Sequence, residues 1–311
     1  METIRVSANG LDFEVDQAGS GEKFALLLHG FPESKYSWRA QLPVFAERGY
    51  TAWAPNLRGY GLTTRPQGRS NYTLDHLADD VAGLIDAARA RGITGPVTLV
   101  AHDWGGAIAW AFALRGLRPL EKFIILNMPH PVLFFQGLRR FAQLRRSWYM
   151  FFFQIPWLPE FALSRDGAAA IGQIFVGHAR NKGNFPPDVL AEYQRNALRP
   201  GALTGMLNYY RANIRLPRPG GTRMPPVPKL TVPTLMIWGE ADAALGKELT
   251  VGTEALVPGI TIRYLPGVSH WVQQDAPQTV NAMIAAFLDG RPVPEAADLV
   301  HTGEADAPPP R

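Results

Sequence analysis

Short, almost wholly apolar runs recur along the chain at residues 24–28, 51–55, 97–101, 123–126, 235–238 and 262–265. Between and after them fall stretches with helical spacing, at 36–48, 74–91, 105–115, 247–256 and 276–288. Continuous apolar strands separated by helices predict a mostly parallel central sheet with helices on both faces, an α/β architecture. Residues 3–16 instead alternate apolar and polar positions, which predicts a pair of antiparallel edge strands.

The alternation fails between 132 and 229. This stretch is helical in pattern, rich in aromatic residues and without a convincing buried strand, and it closes on a segment at 215–233 dense in Pro and Gly. The pattern predicts an inserted helical cap, 132–229, on a core built from 1–131 and 230–290. Ligands of open α/β sheets bind beyond the carboxyl ends of the strands, so such a cap roofs that position. Residues 291–311, with Pro308-Pro309-Pro310, predict a flexible tail.

Composition narrows the chemistry. The 311 residues contain no cysteine, which excludes disulfides, thiolate metal sites and cysteine nucleophiles. The start, Met1-Glu2-Thr3-Ile4-Arg5-Val6, lacks the apolar core of a signal peptide, and no run reaches the length of a membrane span, so a cytoplasmic protein is the expectation. The net charge is a modest +4, but Arg139-Arg140 and Arg145-Arg146 precede Trp148-Tyr149-Met150-Phe151-Phe152-Phe153. A solvated basic helix face beside a buried aromatic face accounts for that cluster. Neither nucleic-acid binding nor stable membrane insertion is therefore expected, and the oligomeric state is left open.

The most informative segment is Leu99-Val100-Ala101-His102-Asp103-Trp104-Gly105-Gly106, a strand that breaks into a small-residue turn with an aspartate at its apex. A serine there would attack a carbonyl carbon. A carboxylate doing so would leave a reactive anhydride, so Asp103 is better matched to displacement at an alkyl carbon, giving an ester that water later cleaves. Cleavage needs a base, and His270, in Gly267-Val268-Ser269-His270-Trp271 just past the last strand, is the best of the seven histidines. Asp242, in Trp238-Gly239-Glu240-Ala241-Asp242, is the candidate to orient it, with Glu240 as the rival carboxylate. The turn His29-Gly30-Phe31-Pro32 follows the first apolar run, and the N–H groups of Phe31 and Trp104 are candidate donors to an oxyanion.

Taken together, these segments resemble the epoxide hydrolases of the α/β-hydrolase family. The matching pieces are His29-Gly30-Phe31-Pro32-Glu33, Tyr36-Ser37-Trp38-Arg39, Arg58-Gly59-Tyr60-Gly61, the segment around Asp103, Trp238-Gly239-Glu240 with Asp242, and Ser269-His270-Trp271. Ala101 stands where many members have glycine. The resemblance implies an α/β-hydrolase fold with an inserted cap, a triad of Asp103, Asp242 and His270, and no cofactor. It also implies two cap tyrosines that hydrogen-bond the epoxide oxygen, Tyr149 and Tyr210, with Tyr209 the neighbour most easily confused with the latter. The expected partners are a small apolar epoxide and water, and Phe31, Pro32, Trp104, Phe152, Phe153 and Trp271 are the candidate substrate-lining residues.

Two other readings use the same residues. A haloalkane or haloacid dehalogenase would employ the same Asp103, His270 and Asp242, with the Trp104 indole holding a halide. Phe31 departs from the Asn or Glu often found in that turn, and Trp104 and Ala107 leave no arginine clamp for a haloacid carboxylate. A binding protein that has lost catalysis would have no need to retain nucleophile, base, acid and oxyanion turn together.

Overall fold

A computed structural model describes residues 1–214 and 227–301. Eight strands form one sheet: β1 (Glu2–Ala8), β2 (Leu11–Ala18), β3 (Lys23–Leu28), β4 (Tyr50–Pro55), β5 (Val97–His102), β6 (Lys122–Leu126), β7 (Thr234–Gly239) and β8 (Thr261–Leu265). Their spatial order is β1-β2-β4-β3-β5-β6-β7-β8. β1 and β2 pair antiparallel, as does β2 with β4, and every later pairing is parallel. The first hairpin turns at Asn9-Gly10, both at positive φ, the conformation that matches the right-handed twist of the flanking strands.

The central strands are apolar throughout because both faces are covered. Phe24, Leu26 and Leu28 of β3 point into one core with Leu99 and Ala101 of β5, while Ala25, Leu27 and Val100 point into the other. Helices α2 (Leu74–Ala90) and α3 (Asp103–Leu114) cover the first face. The second is covered by α1 (Leu42–Ala46) and, late in the chain, by Pro277–Leu288.

Between β6 and β7 the described chain forms six helices and no strand: α4 (Pro131–Gly137), α5 (Phe141–Arg146), α6 (Trp148–Phe152), α7 (Leu158–Val176, broken at Arg165–Ala168), α8 (Pro187–Ala197) and α9 (Ala202–Asn213). Most of the proline-rich segment at 215–233 lies outside the described residues. After β7 come α10 (Thr253–Leu256), α11 (Val272–Asp275), α12 (Pro277–Leu288) and α13 (Ala296–His301).

Three expectations need correction. The helical pattern at 36–48 is a single turn at Lys35–Trp38 followed by α1, because Pro43 has no N–H to continue a helix through that point. The pattern at 247–256 is broken at Gly252, at φ 92°. Residues 291–301, expected in a loose tail, are instead ordered on the edge of the sheet. Val293 and Leu299 are buried, and Arg263 of β8 donates to the carbonyls of Val293 and Pro294. The rest of the expected tail, 302–311, lies outside the described residues.

Candidate active site

Every core residue singled out from the sequence sits just past the carboxyl end of a strand. Phe31 follows β3, Asp103 follows β5, Asp242 follows β7 and His270 follows β8. Asp103 opens α3 with φ at 49°, a left-handed conformation that costs a side-chain-bearing residue roughly 1–2 kcal/mol. The turn holds because its surroundings are small. A Cβ on Gly105 would lie 2.3 Å from the Leu28 carbonyl oxygen, and one on Gly30 would lie 2.6 Å from Asp103 Oδ1. The Phe31–Pro32 peptide bond is cis. Phe31 N–H donates to Asp103 Oδ1 at 2.8 Å. The Trp104 N–H, in the first turn of α3, has no intrahelical carbonyl to bond and remains a donor beside it.

On the other side of the carboxylate, His270 Nε2 lies 3.4 Å from Asp103 Oδ2, and its Nδ1 lies 2.6 Å from Asp242 Oδ2. Asp242 is fully enclosed and accepts from the N–H groups of Ala244 (2.7 Å) and Leu245 (2.9 Å) and from Asn127 Nδ2 (2.7 Å). Glu240 turns away to pair with Lys247, so of the two carboxylates it is Asp242 that meets His270.

Sequence reading missed two groups. Asn127, at positive φ after β6, donates to Asp242 and the Gly239 carbonyl and accepts the Gly239 N–H, tying β6 to the turn that carries Asp242. Only its place at a strand end could have flagged it. Beneath the turn lies buried Glu33, which accepts from Gly30 N–H, Gln273 and Gln274 and bonds His102 Nδ1 at 2.8 Å. His102 Nε2 in turn faces the His270 carbonyl at 2.8 Å. Glu33 thus fixes the Phe31 turn, the strand before Asp103 and the His270 backbone from one point.

The insertion contributes the opposite wall. Tyr149 and Tyr210 join Asp103 and Trp104 in lining one cavity with Ala107, Met128, Phe134, Met150, Ile214 and Leu245. Nearly all of that wall is hydrocarbon. The tyrosine rings meet edge to face at 6.0 Å, and the Tyr210 ring packs edge to face on Trp104 at 4.9 Å. Tyr209 points elsewhere and donates to the Arg58 carbonyl at 2.8 Å.

Of the six residues expected to line the cavity, Trp104 does. Phe31 and Phe153 pack on each other and support the Tyr210 ring from behind. Trp271 packs against Phe175 and the His270 ring, and neither Pro32 nor Phe152 reaches the cavity wall.

The charges follow from this packing. Burial pushes the Asp103 carboxyl up, but the hydrogen bond from His270, the neighbouring imidazoles and the Phe31 N–H outweigh it and hold it below the usual carboxylate range. Burial alone would lower His270; the Asp242 charge and the contacts to both carboxylates reverse this and raise it to about 10. Tyr149 and Tyr210 are pushed well above the ordinary phenol range by burial and then by the Asp103 charge. The arrangement therefore offers an ionised carboxylate, a protonated imidazole behind it and two neutral phenols opposite.

A sheet of this order, with an acid–histidine pair meeting a side chain in the turn after a central strand where that fold carries its nucleophile, is the arrangement of the α/β-hydrolases. The Alpha/beta hydrolase family matches residues 25–283, and the chain belongs to it. Epoxide hydrolase 4 from Homo sapiens is 40% identical over 292 residues, covering 92% of this chain and 78% of that protein. The AB hydrolase superfamily protein YfhM of Bacillus subtilis is 34% identical, covering 91% and 96%. Among solved structures, an epoxide hydrolase of Bacillus megaterium in complex with an inhibitor superposes with a TM-score of 0.83 at 31% identity, covering 92% of this chain and all of that one.

Proposed function

We propose that this chain is an epoxide hydrolase that opens an apolar epoxide to a vicinal diol through a covalent ester on Asp103. The observation that carries the reading is the facing pair of phenols. Tyr149 and Tyr210 share an otherwise apolar cavity with an ionised carboxylate. Displacement of an epoxide oxygen builds negative charge on that oxygen, and neutral phenols are suited to receive it.

In the first step Asp103 Oδ2 attacks an epoxide carbon as the ring C–O bond breaks, and a tyrosine passes its proton to the leaving oxygen. Oδ1, held by the Phe31 N–H, stays as the ester carbonyl. Esterification removes the Asp103 charge, one of the contributions that raise His270. His270 then releases its proton, which restores the phenol, and becomes a base. In the second step His270, oriented by Asp242, takes a proton from water as the hydroxide adds to the ester carbonyl. The N–H groups of Phe31 and Trp104 support the oxyanion. Collapse expels the diol as its alkoxide takes the proton held by His270, and the Asp103 carboxyl then gives its proton to His270, which restores the starting charges. The insertion acts as a cap that keeps bulk water off the ester.

A halide leaving group needs no proton donor, whereas the two phenols facing Asp103 suit an oxygen leaving group. The decisive test is His270→Gln incubated with a reactive aryl epoxide. Peptide mass spectrometry should find the epoxide mass added at Asp103; a folded, substrate-binding variant with Asp103 unmodified would overturn the scheme. A panel of haloalkanes run on the wild type would show halide release exceeding diol formation if the leaving group is misassigned.

A further inference from the structure

Polarity on the first helices of the insertion is inverted. Along α5 and α6 the residues with no exposure include polar Gln143 and Ser147, while Phe141 is 78% and Trp148 63% exposed. Gln143 faces inward because the fold uses it: it donates to Ser147 and the Ala244 carbonyl and accepts the Gly246 N–H. The outward positions Phe141, Leu144 and Trp148 make no such demand, and water is a poor partner for them. Trp157 (78% exposed) and Phe161 (58%) extend the same character into the start of α7. The aromatic face expected to be buried is thus buried only in part, through Met150 and Phe153.

Charge says what covers this surface. Residues 135–165 carry five arginines and a single carboxylate, Glu160, which is bound by Arg211. Arg146 pairs with Glu248, but Arg139, Arg140 and Arg145 are exposed and make no ion pair among the described residues. Exposed aromatic and aliphatic side chains interleaved with unpaired arginines are the pattern of a segment lying in the headgroup region of an anionic bilayer. A protein partner burying this face would have to supply both an apolar groove and several carboxylates, whereas anionic lipid supplies both at once. No helix among the described residues is long and apolar enough to cross a membrane, so the contact is peripheral.

We propose that α5, α6 and the start of α7 form a docking surface for an anionic lipid bilayer. Trp148 stands next to Tyr149 and Met150, which line the cavity, so docking sets the cavity wall close to the hydrocarbon into which apolar molecules partition. The binding claim is independent of the reaction assigned above and stands or falls by itself.

The test uses the full chain with two vesicle preparations, phosphatidylcholine alone and phosphatidylcholine with about one-third phosphatidylserine. Sedimentation should carry the protein down with the anionic vesicles at least about tenfold better than with the neutral ones, and added salt should weaken the difference. Arg139→Glu/Arg140→Glu/Arg145→Glu should abolish the preference, and Phe141→Ser should reduce binding to both preparations. Both variants should turn over a water-soluble epoxide at the wild-type rate, which separates a failed surface from a failed fold or a failed reaction. Equal binding to the two preparations, or none, would overturn the proposal. So would a self-association in sedimentation velocity that Phe141→Ser removes, since the face would then join two copies of this chain.

Discussion

The two walls of the active-site cavity are built on opposite principles. Behind the one carboxylate that lines the cavity, the sheet side is polar and over-determined: Asp242 has three donors besides His270, Glu33 gathers contacts from three segments, and Asp103 is held in a left-handed turn. The wall from the insertion is hydrocarbon with two hydroxyls, its tyrosines positioned by ring packing against Phe31, Phe153 and Trp104. Hydrogen bonds fix direction within narrow limits, whereas edge-to-face ring contacts tolerate a broader range of arrangements. The sheet side accordingly holds the ionised groups, and the insertion side shapes the space and, in the proposed reaction, supplies protons.

That contrast predicts a graded set of losses. Asp103→Ala removes the attacking atom, so diol formation in a steady-state assay should fall by about 10⁴-fold or more, with the fold intact by circular dichroism. Retained turnover would mean that the sheet wall does not carry the nucleophile. Tyr149→Phe and Tyr210→Phe should each cost about 10- to 100-fold in kcat with a smaller change in KM, and the double variant clearly more than either. If the double variant kept full rate, the insertion would be reduced to a lid.

Asn127→Ala tests the support beneath the sheet wall. It takes one donor from Asp242 and both side-chain bonds from Gly239, so stability to urea should drop by about 1–3 kcal/mol. Its kcat should fall more than its KM rises, because the imidazole loses orientation rather than the substrate its contacts.

The smallest effect is on pH dependence. His270 is raised in the folded protein from 6.5 to about 10, so its contribution to stability is full below pH 6.5 and disappears as pH climbs through about 10. Between pH 7 and 10 the wild type should therefore lose a few degrees of Tm more than His270→Gln, read by scanning calorimetry. Equal slopes would mean that the imidazole is not held between two carboxylates.

Much of the sheet wall is legible in the sequence because strand ends, small-residue turns and chain order are local features. Asp103, Asp242 and His270 each follow an apolar run and need no knowledge of the pairing to be suspected. Asn127 was not legible: a lone asparagine after a strand is an ordinary turn residue until β6 and β7 are seen side by side. The insertion shows the reverse limit. Its helical character follows from spacing, yet spacing could not say which of Tyr209 and Tyr210 faces the cavity, nor that Phe152 turns from it. Helical neighbours differ by about 100° in direction, and only packing against the sheet decides which of them points inward.

The sequence by itself determined the alternation of strand and helix, the helical insertion and the segments that bear the chemistry, since these rest on hydrophobic period and turn residues. Tertiary structure alone decided the charge state of His270, the turning of Glu240 toward Lys247, and the placement of polar Gln143 inside while Phe141 stays outside. Each of these depends on what lies across space from a side chain, and burial and electrostatic neighbours are properties of the folded arrangement rather than of the local chain.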